Sequence, residues 1–273
     1  MLDYELEKLH KCHLLLADEL KRICDAGSIP YFMVAGTLLG AVRHQGFIPW
    51  DDDMDFGMLR DDFERFCHIA PLLLNTEVFC LQTSNTEENY PFNFVKMRLV
   101  GTFVEESYGK GILSEQGIYI DIFPFDDVPD DLADRRRMYR NYYIIRNILL
   151  LKCGFPAGAR KAILKVFGKL ASMMMSREFL KRKKTEILKA GTYVDSACLV
   201  AADGFYGLDK ETIQRTWIEK IEVYRFEDRE FPGPANYDDY LKHMYGDYMS
   251  FPSESERNHH DRLHVDFGRY GEL

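Results

Sequence analysis

The sequence has no apolar stretch that approaches the roughly 20 residues needed to cross a membrane. Its six cysteines are scattered, without a Cys-x-x-Cys pair or the His and Cys spacing of a zinc finger. Basic charge is also scarce, because 35 Lys and Arg are set against 44 Asp and Glu, for a net charge of −9. These absences predict a reduced, cytoplasmic protein and argue against nucleic-acid binding through a broad basic face.

What the sequence does contain indicates a mixed fold. At 46% hydrophobic over 273 residues, the chain can bury a substantial core. We expect an α/β (α+β) protein with a mixed sheet flanked by helices: one domain over 1–273, with an α/β core over 1–128 and a mainly helical region over 129–273. Short β-prone stretches predict strands at 31–36, 54–59, 78–83, 94–100 and 117–125, with the last strand closed by Pro124.

A Gly-Thr pair follows the first predicted strand. Gly36 ends that strand, and Thr37 is the expected N-cap of a short helix. Backbone N–H groups at such a strand-to-helix junction can hold a phosphate group. Gly36 and Thr37 are therefore candidate phosphate-binding residues, although an ordinary turn has the same appearance.

The stretch IPWDDDMDF (48–56) places four carboxylates within five residues, directly before apolar sequence. Asp53 and Asp55 alternate with apolar residues, so we expect both on one face of a strand. Two carboxylates so close repel each other unless a cation lies between them, and Mg²⁺ or Mn²⁺ would meet that need. Asp51 and Asp52 are also open to interpretation as solvated loop acids.

A further acid, Asp121, stands alone in the apolar stretch YIDIF (119–123). A buried carboxylate is unfavourable unless it is paired or bound to a metal, although capping a loop is a common structural role for such a residue. If the two strands are neighbours, Asp53, Asp55 and Asp121 form a cluster that can hold a metal-nucleotide and activate a hydroxyl group.

These motifs together resemble one protein family. GTLLGAVRHQGFIPWDDDMDFGMLRDDFERF (36–66) is similar to the signature of the LicD family, bacterial phosphocholine transferases whose eukaryotic relatives include fukutin and the fukutin-related ribitol-phosphate transferase. GIYIDIFPFDDV (117–128) resembles its second motif, and YLKHMYGDYMSFPSESERNHH (240–260) its C-terminal motif. The resemblance implies a nucleotidyltransferase-like fold, with residues after 129 on the acceptor side.

The resemblance also implies an activity. It is the transfer of a phospho-alcohol, typically phosphocholine from CDP-choline, to a sugar hydroxyl with release of CMP. Asp53 and Asp55 would hold the metal, Asp121 would be a metal ligand or the base, and Asp51 belongs to the same motif. The acceptor would be a cell-surface glycan or a teichoic-acid precursor, assembled on a lipid carrier at the inner face of the membrane.

Cations are expected to face the same phosphates. Arg43 and His44 follow the Gly-Thr pair inside the first motif. Lys96 and Arg98 lie two residues apart on a predicted strand, hence on one face. Surface solvation is the alternative for each of them, and His44 is equally suited to holding the loop.

The C-terminal histidines are weaker candidates. His260 and His264 have a spacing that would suit a second metal on a helix, yet the surrounding tail is polar. Phosphate or acceptor binding and plain solvation are the other interpretations.

Two other functions share these motifs. A nucleotidyltransferase acting on a small molecule would use the same acids but attack the α-phosphate, and a non-catalytic glycan-assembly protein would keep only the fold. The basic, Met-rich segment 160–189 suits either contact with an anionic membrane or packing against the core.

Overall fold

The computed structural model describes residues 3–112, 114–156, 162–189, 196–253, 257 and 262–272. Within these ranges the helices are α1 (Asp3–Gly27), α2 (Ala35–His44), α3 (Arg60–Leu73), α4 (Leu132–Lys152), α5 (Ala162–Met174), α6 (Arg177–Lys189), α7 (Leu208–Glu211), α8 (Arg215–Ile218) and α9 (Tyr237–Tyr245). The strands are β1 (Phe32–Met33), β2 (Asp55–Leu59), β3 (Phe79–Gln82), β4 (Val95–Leu99), β5 (Phe103–Glu106), β6 (Tyr119–Val128), β7 (Cys198–Val200), β8 (Thr212–Gln214), β9 (Ile221–Phe226), β10 (Arg229–Pro234) and β11 (Arg262–Asp266).

The main sheet is mixed, which confirms the predicted α/β class. Its strands run in the order β1, β2, β6, β4, β3, and β7 and β8 continue it from the distal part of β6. Among the described strands of this sheet, β2 and β6 are the parallel pair, whereas β1, β4 and β7 run antiparallel to their partners. Two small antiparallel pairs, β9 with β10 and β5 with β11, lie outside it.

One face of the sheet belongs to the core. Phe56, Met97, Ile120 and Ile122 are fully buried on that face, where α1 and α3 pack. The apolar stripe of α1 faces this core, and its fully buried members include Leu9, Leu16, Leu20 and Ile23. The helices therefore cover one side of the central strands.

Polar residues form a row across the opposite face. Asp55 of β2 is paired with Asp121 of β6, Asp121 with Lys96 of β4, and Lys96 with Gln82 of β3. Side chains at paired positions of neighbouring strands point to the same face. The register alone thus brings two acids, a lysine and an amide side by side.

The start of α2 differs from the prediction. The first strand is only Phe32–Met33, and the helix begins at Ala35, so Thr37 lies inside the first turn rather than at the N-cap. Val34 occupies the N-cap position without a side-chain hydrogen bond. The Ala35 N–H is satisfied instead by the Tyr240 hydroxyl at 3.1 Å, a partner supplied by α9.

Pro124 does not close its strand, contrary to the prediction, because β6 continues to Val128. The antiparallel pairing of β6 with β4 ends at Ile122, and the pairing with β7 starts at Asp126. Pro124 therefore lies between two partner strands, where the missing N–H of proline interrupts no ladder on that side.

The helical region after β6 is attached to the sheet through α4 and α6. The Asp131 carboxylate caps α4 by accepting a hydrogen bond from the Asp134 N–H at 2.9 Å. In the part of the chain that the structure describes, no helix is long and apolar enough to cross a membrane.

Candidate active site

Four acids converge at the amino-terminal end of β2. Asp55 opens the strand and is paired directly with Asp121 of the neighbouring parallel strand, which places their Cα atoms about 4.8 Å apart. Asp53 precedes β2 rather than lying in it, contrary to the expectation that Asp53 and Asp55 lie on one face of a strand. The charges of Asp51, Asp53 and Asp121 nevertheless all act on the Asp55 carboxyl.

The accumulated negative charge changes the acidity of Asp55. Burial raises its pKa, and the neighbouring carboxylates of Asp53, Asp121 and Asp51 raise it further, while Lys96 opposes the shift, so that the pKa lies well above its usual range. Lys96 does not offset the repulsion that acts on Asp55. The site therefore favours an additional positive charge.

Asp121 is held by Lys96. The Lys96 Nζ donates hydrogen bonds to both carboxylate oxygens, at 2.8 and 2.9 Å, and the two side chains are 10% and 14% exposed. The amine also lies 3.3 Å from the centroid of the Tyr119 ring. Burial raises the pKa of Asp121, with Lys96 acting against it. Lys96 therefore fixes the position of the Asp121 carboxylate.

The acidic loop is held on two sides. The carboxylate of buried Asp52 forms a 3.2 Å ion pair with Arg262 of β11. The backbone carbonyl of Asp51 is hydrogen-bonded to the His10 ring at 2.8 Å, and that ring stacks on Phe47. These contacts from the two ends of the described chain position the loop before β2.

Gly36 and Thr37 lie at this loop. A Cβ on Gly36 would stand 2.6 Å from an Asp51 carboxylate oxygen, so only glycine allows that acid to approach the first turn of α2. The Thr37 hydroxyl accepts a hydrogen bond from the Asp55 N–H at 2.7 Å. Both residues position acids in the described structure, and phosphate binding by them stays a prediction.

The other predicted cations, Arg98, Arg43 and His44, do not contact the acids as Lys96 does. The Arg98 side chain shares the face of Lys96, but its guanidinium donates to the Gln82 amide oxygen at 2.8 Å and the Gly117 carbonyl at 2.5 Å. Arg43 and His44 end α2, about 10–12 Å from Gly36 along the helix axis. Arg43 donates to the Tyr248 carbonyl at 2.7 Å.

The predicted helical spacing of His260 and His264 is not realised at His264, which lies in the strand β11 paired with β5. His260 lies outside the described residues. The side chain of His264 is exposed and contacts the Phe103 ring.

The site can be tested for its fit to a metal ion. Asp53, Asp55 and Asp121 offer hard carboxylate oxygens, the donors that Mg²⁺ and Mn²⁺ prefer, and their mutual repulsion would be relieved by a cation. Across the described ranges, no three His, Cys, Asp or Glu side chains are grouped closely enough to form a ready metal shell. The donor chemistry therefore fits such an ion, provided that phosphate oxygens or waters complete its coordination.

Sequence reasoning missed two neighbours of these acids. Tyr119 lies two residues before Asp121, so strand alternation alone could have placed it on the same face. Arg262 lies far along the chain, and no local pattern marks it as the partner of Asp52.

The chain is similar to proteins of known family. Residues 28–147 match the family model described as LicD/FKTN/FKRP, nucleotidyltransferase domain. The chain is 27% identical over 255 residues to the lipopolysaccharide cholinephosphotransferase LicD of Haemophilus influenzae, covering 90% of this chain and 92% of that protein.

Shorter matches extend the comparison to other organisms. An uncharacterised protein of Rickettsia typhi is 45% identical over 56 residues, which are 20% of this chain and 18% of that protein. Human ribitol 5-phosphate transferase FKRP is 42% identical over 40 residues, 15% of this chain and 8% of that protein. These two local similarities involve only a small part of each protein.

Proposed function

Because residues 28–147 match the LicD family model and 90% of the chain is similar to a LicD protein, we propose that the protein transfers a phospho-alcohol group from a CDP-alcohol to a sugar hydroxyl of a glycan, releasing CMP. The relative that is similar along most of the chain is a cholinephosphotransferase, which favours phosphocholine as the group. The observation that carries the proposal is the pairing of Asp55 with Asp121, whose carboxylate is held by Lys96 while the pKa of both acids stays raised.

The reaction accounts for these residue types. The acceptor oxygen forms a bond to the β-phosphorus, the bond from that phosphorus to the bridging oxygen breaks, and CMP departs with the electron pair. The acceptor proton passes to a carboxylate, a role that we assign to Asp121, because its raised pKa favours proton uptake and Lys96 fixes its position. Orientation and charge stabilisation supply most of the catalysis in such phosphoryl transfers.

The proposal includes a divalent ion, Mg²⁺ or Mn²⁺, held by Asp53 and Asp55 with Asp121 beside them. When bound, it would neutralise the pyrophosphate of the donor. Asp52, paired with Arg262, and Asp51, seated against Gly36, would keep the loop in place for that contact.

For the acceptor, we propose a lipopolysaccharide or teichoic-acid-like glycan on a lipid carrier at the inner face of the membrane. Four exposed apolar side chains of α5 support a peripheral membrane contact in the region 160–189. They are Phe167, Leu170, Met173 and Met174. Apolar side chains next to lysines can rest on an anionic bilayer.

The test is CMP release from CDP-choline, CDP-glycerol and CDP-ribitol, with Mg²⁺ or Mn²⁺ and an extract of cell-envelope glycan. Native protein should release CMP from one donor, and the Asp53→Ala and Asp55→Ala variants should not. The matched control is Asp61→Ala, an exposed acid in the first turn of α3. Pyrophosphate release from nucleoside triphosphates, without CMP release from any donor, would instead establish a nucleotidyltransferase.

A further inference from the structure

Three aromatic side chains meet at right angles beside the acids. The Tyr206 ring is perpendicular to Phe205, at 5.6 Å between centroids and 88° between planes, and to Tyr245 of α9, at 6.1 Å and 90°. Phe205 is 91% exposed and Tyr206 is 37% exposed. Perpendicular rings with accessible surface form a corner, which we call the aromatic corner.

The aromatic corner adjoins the acidic site. Burial raises the pKa of the Tyr206 hydroxyl, and the charges of Asp53 and Asp55 raise it further. The Tyr245 hydroxyl is affected in the same way by burial and, more weakly, by Asp51. Geometry agrees with this, because Tyr240, on the same helix as Tyr245, accepts a hydrogen bond from the Ala35 N–H at the start of α2, beside the acidic loop.

The loop that carries Phe205 and Tyr206 is firmly anchored. The Tyr206 N–H donates to the Glu211 carboxylate at 2.9 Å. A Cβ on Gly204 would lie 2.1 Å from that same carboxyl group, so glycine is required there. Asp203, at the start of the loop, forms ion pairs with Arg146 and Lys184. The exposed Phe205 ring is therefore held in place by a fixed loop.

We propose that the aromatic corner receives the cationic end of the transferred alcohol, a quaternary ammonium group such as that of choline. This rests on the proposed function. Aromatic rings attract a quaternary ammonium through the negative electrostatic potential of their faces. The negative charges of the adjoining carboxylates attract it as well. The Lys210 amine lies 5.3 Å from the Tyr206 centroid, so this ring already takes part in a cation–π contact.

A second aromatic group is a poorer match. Phe92, Phe94 and Phe155 pack together below Tyr108, and two of these phenylalanines are buried. Lys96 stands over Phe94, and the Arg146 charge acts on Tyr108. Asp53 and Asp55, which act on Tyr206, do not act on Tyr108, so Tyr108, which is 44% exposed, serves as the matched control.

The test measures the affinity of CDP-choline, CDP-glycerol and CMP by calorimetry, with Mg²⁺ present. Tyr206→Leu should weaken binding of CDP-choline about tenfold, the scale of one desolvated cation–π contact. Binding of CDP-glycerol and CMP, which lack the ammonium, should not change. Tyr206→Phe should bind CDP-choline as the native protein does, and so should Tyr108→Leu.

The outcomes separate the two proposals. Equal losses for CDP-choline and CMP in Tyr206→Leu would overturn the corner as an ammonium site, since the ring would then serve the nucleotide or the loop. CMP release from CDP-glycerol alone, with no preference for CDP-choline, would overturn the corner and leave the proposed function standing. CMP release from no donor would overturn both. Phe205→Leu, at a site too exposed to affect folding, should give a smaller loss of the same kind.

Discussion

Two buried lysine–aspartate pairs in this protein have similar geometry and opposite electrostatics. Lys96 Nζ lies 2.8 Å from an Asp121 oxygen in the sheet, and Lys184 Nζ of α6 lies 3.2 Å from an Asp203 oxygen after β7. All four side chains are at least 86% buried, the second pair almost completely. Distance alone would assign them the same role.

Their surroundings differ. Burial alone would raise the pKa of Asp203, but the charges of Lys184 and Arg146 hold it at about 2, and the Asn93 N–H also donates to its carboxylate. Asp121, by contrast, shares one lysine with Asp55, and the pKa of each of these acids is raised.

The contrast separates structure from function. A buried acid with more than enough positive charge joins two parts of a fold, here α4 and α6 to the loop after β7. A group of acids with too little positive charge is unfavourable in the protein alone, and such sites are typical of ligand binding and catalysis.

The largest expected effect is on activity. Asp55→Asn should lower kcat for CMP release about a thousandfold, the scale of losing one strong electrostatic contact to a transition state. Its free energy of unfolding should stay level or rise, because the substitution relieves repulsion from Asp53 and Asp121. Kinetics and urea unfolding of the same preparation measure both quantities. A destabilised variant with native activity would reverse the comparison, and Asp61→Asn is the control.

Asp203→Ala should have the opposite profile. It leaves Lys184 and Arg146 buried without their carboxylate, and we expect a loss of about 3–5 kcal/mol in the free energy of unfolding. The control is Glu186→Ala, an exposed partner of Lys183, with a loss below about 1 kcal/mol. Urea unfolding distinguishes them, and equal small losses would contradict a structural role for Asp203.

The native pair should also show a particular acid sensitivity. Since the pKa of Asp203 is lowered to about 2 from its usual 3.8, its contribution is complete above pH 4 and is lost as the pH falls toward 2.

Glu211 is an intermediate case, an acid buried against the Tyr206 N–H without a cation. Burial raises its pKa from 4.5 to about 7, and Tyr139, Tyr206 and Tyr240 are the titratable groups it acts on. The folded state therefore binds more protons between these pH values, and its stability falls as the pH rises through 7.

Glu211→Gln should remove that fall. Its stability relative to native protein should increase between pH 5 and pH 8, by roughly 3 kcal/mol at most. Urea unfolding at several pH values measures the difference, with exposed Glu219→Gln as the control. A difference that does not vary with pH would show that Glu211 does not titrate in this range.

The acids of the site were predictable from the sequence because their signal is local. Alternation placed Asp121 on one face of its strand, and an isolated carboxylate in apolar sequence marked it as unusual. Lys96 was placed on the correct face by the same rule. That rule could not distinguish Lys96 from Arg98, because the choice between them depends on strand register, which pairs Lys96 with Asp121.

The rest depends on contacts between distant parts of the chain. The start of α2 was mistaken because the Tyr240 hydroxyl, 205 residues away, satisfies the Ala35 N–H. Likewise, Arg262 reaches Asp52 from β11, and Tyr206 approaches Asp53 from the loop after β7. No periodicity within a single segment carries such information, so the positive and aromatic surroundings of the acids became visible only in the fold.

The smallest expected effect is also the most direct measure of the charge deficit. At ten times its Kd, an ion that binds only the folded protein stabilises it by about 1.4 kcal/mol, which raises Tm by roughly 2–5 °C for a chain of this size. Mn²⁺ should produce this shift in native protein and in Asp61→Asn, but not in Asp55→Asn. The shift should grow when CDP-choline is added, because phosphate oxygens can complete a coordination shell for which the described side chains supply too few grouped ligands. An equal rise in Tm from NaCl at matched ionic strength would show that the stabilisation is charge screening and not ion binding. A rise that persists in Asp55→Asn would show that the ion binds elsewhere.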